Sequence, residues 1–407
     1  MHLIRREPDA VRAALARRGA EDVATLDRVL ELDARWRAIR TELEELQAEQ
    51  NRASRGRKGP PTAEEREQLA ALAARGRELS DQETSLGAER EAALASLPNL
   101  PAEDAPAEDT VLREVGDAGR TGRDHLELAG PRIDMEHAAR LSGSRFAYLR
   151  GALVLLELAL VRFAFERLAP EGFEPVIPPV LVRERALYGT GFLPDTEQQI
   201  YRLADDDLYL IGTSEVALAF LHADEILDAE SLPIRYAGFS TCFRREAGAA
   251  GKDTRGIFRV HQFDKVEMFS FVLPEESEAE HERLLAIEES ILQELGIPYR
   301  VVAIAVDELG ASAAKKYDCE AWLPGQDRYR ELTSCSNTTD YQARRLDVRF
   351  RPAEGGKPET PHTLNGTAVA VGRTIIALLE NGQQDDGSVV LPEVLTRFGA
   401  PEVLPPA

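Results

Sequence analysis

Two heptad-patterned runs on either side of a helix-breaking segment restrict the N-terminal fold more than any other feature of the sequence. Residues 29–46 repeat apolar side chains at spacings of three and four, and residues 69–86 continue the same spacing. Thr62 and Glu65 form a capping-box pattern before the second run. Between the runs, NRASRGRKGPP contains two Gly and two Pro and must interrupt a helix. The sequence therefore predicts an antiparallel coiled-coil hairpin over about residues 27–97.

The predicted turn of this hairpin is basic, since it carries Arg52, Arg55, Arg57 and Lys58. Charges at a helical turn are usually solvated, and a heptad hairpin is commonly a spacer or dimerisation element, so these readings stay open. The net charge of −22 argues against a protein that coats nucleic acid indiscriminately. Residues 1–60, however, hold 13 Lys and Arg against 11 Asp and Glu. A polyanionic partner is therefore expected at the N-terminal part or at an arginine-lined cleft.

The remainder of the chain predicts a second domain of a different kind. LPNLPAEDAPAEDT is typical of a linker, so we divide the chain into a domain of residues 1–100, a linker 101–118 and a domain 119–407. In the last domain, strand-like runs joined mostly by loops favour an α+β fold with an antiparallel or mixed sheet and packed helices. Its predicted helices span residues 152–168, 215–227, 276–295 and 367–381.

The chain shows no signature of a membrane or secreted protein. Its longest apolar run, GALVLLELALVRFAF, is interrupted by Glu157 and Arg162. The first residues lack the apolar core of a signal peptide, and three scattered cysteines form no disulfide framework or thiolate metal site. We therefore expect a cytoplasmic protein.

A dense set of charges marks the stretch FRREAGAAGKDTRGIFRVHQFDKVEMF. It reads as a long hairpin with Arg244, Arg245 and Glu246 at the start of its loop and Phe263 within the returning strand. Strand alternation places Phe263 on the same face as Lys265 and Glu267. An exposed, charge-alternating sheet face is one reading. A site for a flat anionic ligand, with a stacking ring and phosphate-binding arginines, is the other.

Three weaker motifs accompany this hairpin. GTSE places Thr213, Ser214 and Glu215 at a strand-to-helix junction, where such residues are also common caps. RELTS contains oxygen ligands that hard cations prefer, although a solvated strand end would look the same. Near the C-terminus, residues 367–380 read as a helix that carries Arg373, which taken alone is more typical of a surface charge.

Taken together and in this order, these segments resemble bacterial seryl-tRNA synthetases, which are class II aminoacyl-tRNA synthetases. GFEPVIPPVLV resembles motif 1, FRRE with GIFRVHQFDKVEMF resembles the seryl form of motif 2, and LNGTAVAVGRTIIALLENGQQDDGSVVLPEVL resembles motif 3. GTSEVAL and RELTSCSN resemble the family's amino-acid loop and its metal and ATP segment. The N-terminal hairpin resembles the tRNA-binding arm, so the resemblance covers almost the whole chain.

The resemblance implies an enzyme that activates L-serine with ATP and Mg²⁺ and passes the seryl group to tRNA(Ser). It implies a homodimer whose N-terminal arm reaches the long variable arm of the tRNA, and no DNA or membrane partner. It leaves tRNA(Sec) open as a second acceptor.

The resemblance also implies roles for individual residues. Arg244 and Arg373 would be catalytic. The serine pocket would comprise Thr213, Ser214, Glu215, Arg244, Glu267 and Thr367. The ATP site would comprise Arg244, Arg245, Glu246, Val260, Phe263, Glu331, Leu332, Thr333, Ser334 and Arg373, with Glu331 and Ser334 holding Mg²⁺. The tRNA contacts would be Arg52, Arg55, Arg57 and Lys58.

Other functions fit parts of the same pattern. A paralogue would activate serine but deliver it to a non-tRNA acceptor, and such proteins often lack the arm. A second, antibiotic-tolerant copy would carry the same motifs as a housekeeping enzyme. A degenerate scaffold would be expected to lose Arg244, Glu267 or Arg373, and a synthetase for threonine or proline would differ in its pocket and N-terminal hairpin.

Overall fold

The computed structural model of the chain describes residues 1–55, 62–194, 199–247, 253 and 255–407, without the side chains of residues 53–55. The described chain divides into two compact units, Met1–Leu100 and Pro101–Ala407. Arg57 and Lys58, predicted at the hairpin turn, lie outside the described residues, as does the side chain of Arg55. Arg52 is described and exposed.

The N-terminal unit is helical. Its elements are α1 (His2–Arg6), α2 (Pro8–Ala16), α3 (Ala20–Arg55) and α4 (Ala63–Ser96). Gly76 of α4 lies against Leu46 of α3, and Gly87 lies against Trp36, so the two long helices run antiparallel. All the predicted seam positions are buried or half-buried, and the flanking positions are mostly exposed. The predicted coiled-coil hairpin is confirmed.

The N-terminal unit contains the predicted helix cap and a buried ion pair. The Glu65 backbone N–H donates to Thr62 Oγ1 at 3.2 Å, and Glu65 Oε2 accepts from the Thr62 N–H at 2.7 Å, which completes the predicted capping box. Near the start of the hairpin, Asp33 is almost fully buried, and Arg5 Nη2 lies 2.6 Å from its Oδ1. A hydrogen bond from Arg5 is the main reason that the pKa of Asp33 is lowered. This ion pair ties α1 to α3.

The C-terminal unit is α+β. It opens with β1 (Thr110–Val115), α5 (His125–Ala129), β2 (Ile133–Asp134), α6 (Met135–Ser142), β3 (Tyr148–Leu149), α7 (Ala152–Leu168), β4 (Glu174–Val176), β5 (Leu181–Val182), α8 (Glu184–Thr190), β6 (Arg202–Leu203), β7 (Leu208–Leu210), α9 (Glu215–Phe220) and β8 (Ile226–Asp228). It continues with β9 (Ile234–Phe243), β10 (Gln262–Val272), α10 (Ser277–Glu294), β11 (Tyr299–Ala303), β12 (Lys315–Leu323), β13 (Arg328–Thr339), α11 (Tyr341–Arg345), β14 (Arg349–Arg351), β15 (His362–Ala370), α12 (Val371–Gly382), β16 (Val389–Val390), α13 (Glu393–Thr396) and β17 (Val403–Leu404).

One large sheet organises this unit. Within the described residues it has eight strands in the order β1-β11-β12-β13-β15-β10-β9-β4. Every neighbouring pair is antiparallel except β4 and β9, which are parallel, so the predicted mixed sheet is confirmed. Helices α7, α10 and α12 pack on the sheet and bury its apolar side chains. The long central strands β10, β13 and β15 thereby become a rigid platform.

Several boundaries differ from the prediction. The helix predicted at 367–381 begins only at Val371, because residues 362–370 form β15, a fully paired central strand. The helix predicted at 215–227 ends at Phe220. The predicted linker 101–118 contains β1, which pairs with β11 at the edge of the main sheet and is not free linker. In each case tertiary pairing decided between conformations that the local sequence allowed.

No helix in the described part of the chain is long and apolar enough to cross a membrane.

Candidate active site

A cleft that encloses about 640 Å³ of open space lies where β10, β13 and β15 meet the start of α12. Nine of the ten residues predicted to bind ATP line it, and Thr367 of the predicted serine pocket lines it as well. Arg245 is the predicted ATP residue that is not among the lining residues. Its backbone N–H donates to the Gln199 carbonyl at 2.8 Å.

Arg244 lies at the end of β9, where the chain leaves the sheet. Its Nε donates to the carbonyl of Gly212 at 3.2 Å, and its guanidinium carbon is 5.3 Å from the centre of the Phe263 ring. These contacts leave the guanidinium lining the cleft while fixing its position. Arg244 is therefore a cation that lines the cleft and also acts on the carboxylates of the buried pocket behind it, as Lys265 does.

A second ring, Phe258, lines the cleft in addition to Phe263. The guanidinium carbon of Arg373 lies 4.6 Å from the ring centre of Phe258, and that of Arg330 lies 3.8 Å from the same ring. Strand alternation from Phe263 would place Phe258, five residues earlier, on the opposite face of the strand. β10 begins only at Gln262, so Phe258 precedes the regular strand and strand alternation does not apply to it.

A buried acidic pocket adjoins the cleft. Glu267 is 2% exposed and forms an ion pair with Lys265 two residues earlier on β10. Thr213 Oγ1 donates to Glu267 Oε2 at 3.3 Å, and Thr367 faces Glu267 across the β10–β15 ladder. Burial raises the pKa of Glu267, whereas Lys265 acts in the opposite direction. Three of the predicted serine-pocket residues thus lie together.

Glu215 forms the second carboxylate of this pocket. Its Oε1 accepts from Gln342 Nε2 at 2.6 Å and from Asn365 Nδ2 at 2.9 Å. Burial raises its pKa to about 7, and the nearby Glu267 carboxylate adds to the shift. The adjacent Ser214 directs its hydroxyl elsewhere, to the Ser240 hydroxyl at 2.8 Å and the Gly238 carbonyl.

On the opposite wall of the cleft, a strand irregularity brings Glu331 and Ser334 together. Residues three apart on a regular strand point to opposite faces. The β12–β13 register shifts opposite Leu332, however, and both Glu331 and Ser334 line the cleft. Burial opposes ionisation of Glu331, but the charges of Arg373 and Lys316 outweigh it and lower the pKa to about 2. Thr333 donates instead to Glu288 of α10, at 2.7 Å.

This wall fits one hard cation only in part. An ionised carboxylate and a hydroxyl are suitable oxygen ligands for Mg²⁺. Among the residues that the structure describes, no group of three or more His, Cys, Asp or Glu side chains could hold a metal ion. Glu331 and Ser334 would therefore supply a minority of the ligands, and oxygen atoms from a bound phosphate chain would complete the shell.

Glu246 is paired with a cation, Arg259, that has no role in the predicted site. Arg259 Nη1 donates to Glu246 Oε2 at 2.5 Å, and Arg259 Nε lies 3.6 Å from Asp253 Oδ2. Both Glu246 and Arg259 line the cleft next to Val260. The rim opposite the acidic pocket is therefore a charge-balanced network.

Comparison with known proteins agrees with this geometry. The family model described as Seryl-tRNA synthetase N-terminal domain matches residues 1–101, and the model described as tRNA synthetase class II core domain (G, H, P, S and T) matches residues 199–382. The Serine--tRNA ligase of Streptomyces coelicolor is 51% identical, with 100% of this chain and 99% of that relative covered. The chain belongs to the seryl-tRNA synthetase family.

Solved structures of this family superpose closely. Seryl-tRNA synthetase from Pyrococcus horikoshii complexed with ATP gives a TM-score of 0.93 at 42% identity, covering 100% of this chain and 99% of that one. Cytoplasmic serine-tRNA ligase from Naegleria fowleri in complex with AMP gives 0.86 at 33% identity, covering 98% and 96%. These likenesses confirm the predicted class II fold with its N-terminal helical arm.

Sequence reasoning missed four residues that shape this synthetase-family site. Lys265 was placed on the right face but given no role, and Phe258 was placed on the wrong face. Gln342 and Asn365 were not considered, although together they fix the Glu215 carboxylate. Neither amide lies near Glu215 in sequence, and only the sheet brings the three together.

The raised pKa of Glu215 predicts a pH-dependent contribution to stability. Between about pH 4.5 and 7 the folded chain keeps a proton on Glu215 that the unfolded chain releases, so the free energy of unfolding falls as pH rises through this window. Replacing Glu215 with Gln removes the titration. Thermal unfolding from pH 5 to 8 should show the variant gaining stability relative to the wild type, by about 2.5 kcal/mol over this range. A difference that stays constant with pH would contradict this assignment.

Proposed function

We propose that this chain is a serine--tRNA ligase that forms seryl-adenylate from L-serine and ATP and then charges tRNA. The observation that carries the proposal is the position of Arg244 between two chemically different chambers. On one side lies a buried pocket with two carboxylates, Glu215 and Glu267, and on the other a cleft with rings and further arginines. An amino acid in the pocket and a nucleotide in the cleft would both lie next to that guanidinium.

In the first step, a serine carboxylate oxygen attacks the α-phosphorus of ATP. An oxygen–phosphorus bond forms, the bond to the bridging oxygen breaks, and pyrophosphate leaves. Arg244 would neutralise both the carboxylate and the α-phosphate, which otherwise repel each other. No protein nucleophile is needed, so positioning and charge stabilisation supply the catalysis.

The acidic pocket suits the amino-acid substrate. An ionised Glu215 would accept hydrogen bonds from the serine ammonium, while Glu267, Thr213 and Thr367 present oxygen atoms to its hydroxyl. Alanine would leave those buried groups unpaired, at about 1–3 kcal/mol per group. The pocket therefore selects for a hydroxylated side chain.

The cleft suits the nucleotide. Phe263 and Phe258 offer ring faces, Arg373 offers a cation near the phosphate chain, and Glu246 lies at the rim beside the backbone of Val260. Glu331 and Ser334 would hold Mg²⁺, which when bound would neutralise charge on the phosphates. Leu332 and Thr333 support that wall.

In the second step, a hydroxyl of the terminal ribose of the tRNA attacks the seryl carbonyl carbon, and AMP leaves as the hydroxyl proton is lost. We assign tRNA binding to residues 1–100, because this unit presents a long antiparallel hairpin, with residues 119–407 as the catalytic domain. The expected contacts are those of the long variable arm of tRNA(Ser) with Arg52, Arg55, Arg57 and Lys58. Such phosphate contacts would make binding salt-dependent.

We also propose a homodimer. Helix α7 leaves Val154, Leu155 and Leu158 exposed at 40%, 52% and 59%, on neighbouring turns of one face. A contiguous patch of exposed apolar side chains is typical of protein–protein contact sites. A second copy of the chain is the occupant that the family resemblance implies.

The comparisons give no support for delivery of serine to a non-tRNA acceptor. The hairpin arm, which paralogues of that kind often lack, is intact in the described residues. Its presence favours tRNA as the acceptor.

Replacing Arg244 with Ala should reduce serine-dependent ATP–pyrophosphate exchange at least 100-fold, because the two anions lose their shared cation; losses of about this size follow removal of one charge-stabilising donor. The measurement is exchange at saturating serine and ATP. Arg140→Ala, at an exposed arginine of α6 paired with Glu136, serves as the matched control and should retain activity. Near-normal exchange by the Arg244 variant would refute the assigned role.

Removing residues 40–85 should leave the exchange reaction intact but abolish charging of tRNA(Ser). Trp36 and Gly87 face each other, so a turn of about four Gly and Ser residues can rejoin the shortened helices. The two assays are pyrophosphate exchange and aminoacylation of total tRNA. Loss of both activities would mean that the arm is needed for the fold of the enzyme and not for tRNA binding alone.

Replacing Leu158 with Glu should convert the dimer to a monomer, because a charge would be buried in the α7 contact. Light scattering coupled to size-exclusion chromatography measures the mass. Val390→Glu, at an exposed residue of β16, is the control and should remain dimeric. A wild-type chain that elutes as a monomer would overturn the proposed assembly.

A further inference from the structure

A buried histidine outside the predicted site connects three elements behind the nucleotide cleft. His125, the first residue of α5, is 4% exposed. Its Nδ1 lies 3.0 Å from Oε1 of Glu380, which is fully buried on α12. Its Nε2 lies 3.3 Å from the backbone nitrogen of Ile257. Neither His125 nor Glu380 is among the residues to which the family resemblance assigns a role.

The hydrogen bonds fix the tautomer of this histidine. The Ile257 backbone N–H can only donate, so Nε2 must accept and Nδ1 must carry the proton that is donated to Glu380. Glu380 is itself oriented, because its Oε2 accepts from the Gly325 backbone N–H at 2.8 Å. The neutral imidazole therefore connects two groups: its Nδ1 side contacts the Glu380 carboxylate of α12, and its Nε2 side contacts the Ile257 backbone N–H ahead of β10.

The His125 ring packs closely against the backbone ahead of β10. Gly256 has a φ of +79°, and a Cβ atom placed on it would lie 2.1 Å from His125 Nε2. Only glycine allows the ring to approach here. The next two residues, Ile257 and Phe258, line the cleft.

Helix α12 contacts both the Phe258 ring and His125. It carries Glu380 two turns after Arg373, whose guanidinium lies over the Phe258 ring. The same helix thus holds the ring from the cleft side through Arg373 and the backbone behind it through Glu380 and His125. A shift of the Ile257–Phe258 backbone would therefore misplace the Phe258 ring together with the backbone that carries it.

We propose that His125 is a positioning residue for the nucleotide half of the cleft. By accepting the Ile257 N–H, it holds the backbone that presents Phe258 to the bound nucleotide. This inference rests on the proposed function for the identity of the nucleotide, ATP. Because the contacts to His125 from the described residues include none of the acidic pocket, its influence is confined to ATP affinity and leaves serine affinity unchanged.

Two conservative variants separate the two ring nitrogens. In His125→Asn the amide lies near the position of Nδ1, so it can still donate to Glu380 but cannot reach Ile257. In His125→Gln the longer side chain places its carbonyl near Nε2, where it can accept from Ile257. His137→Asn is the matched control, since His137 is an exposed histidine on α6 with Nδ1 3.0 Å from Asp134 Oδ1.

The readouts are the Kd for ATP by isothermal titration calorimetry without serine, and the KM for serine in pyrophosphate exchange. His125→Asn should raise the Kd for ATP about 10-fold, the expected effect of one unpaired buried donor, with the KM for serine within twofold of wild type. His125→Gln should restore the Kd to within about threefold, and His137→Asn should match the wild type.

An unchanged Kd in His125→Asn, a Kd raised equally in the Asn and Gln variants, or a parallel rise of the serine KM would each overturn the proposal. Calorimetry reports on His125 even if the wild type shows no serine-dependent exchange. Absence of serine-dependent exchange in the wild type would count against the proposed function but not against the role of His125.

Discussion

The buried ion pair of Lys265 and Glu267 is the interaction on which the arrangement of this site depends. Both residues lie on β10, are 7% and 2% exposed, and point to the same face of a central strand. Removal of either partner would leave an uncompensated charge in the protein interior, at a cost of several kcal/mol. The pair lies on a strand held between β9 and β15, and the β10–β15 register places Thr367 opposite Glu267.

Charge balance then separates the site into two chambers. On the amino-acid side, burial keeps carboxylates at raised pKa values, so they can strengthen their interaction with a cation when one enters. On the nucleotide side, arginines lower the pKa of Glu331 and keep it ionised. The pKa values of the carboxylates on the two sides of the site are thus shifted in opposite directions by their surroundings. The α12 helix couples to this platform through Arg373 at one end and Glu380 at the other.

The sequence predicted the parts of the molecule whose signals are local. Heptad spacing and the Thr62–Glu65 pattern gave the hairpin and its cap, because helical periodicity and capping depend on residues three or four apart. The motifs around Arg244, Glu331 and Arg373 predicted ten of the sixteen described residues that line the cleft. The start of α12 was misplaced, because alternating and helical apolar patterns overlap in a short, wholly buried segment such as 363–371.

By itself, the sequence determined the architecture, the family resemblance and the kinds of side chain available for chemistry. Only the tertiary structure decided which of them meet. The amides of Gln342 and Asn365 reach Glu215, and His125 reaches Ile257, across separations of more than 120 residues. Such contacts depend on strand order and helix packing in three dimensions. A linear pattern carries no signal for them, since a buried polar group can be satisfied by any part of the chain that the fold brings within hydrogen-bonding distance.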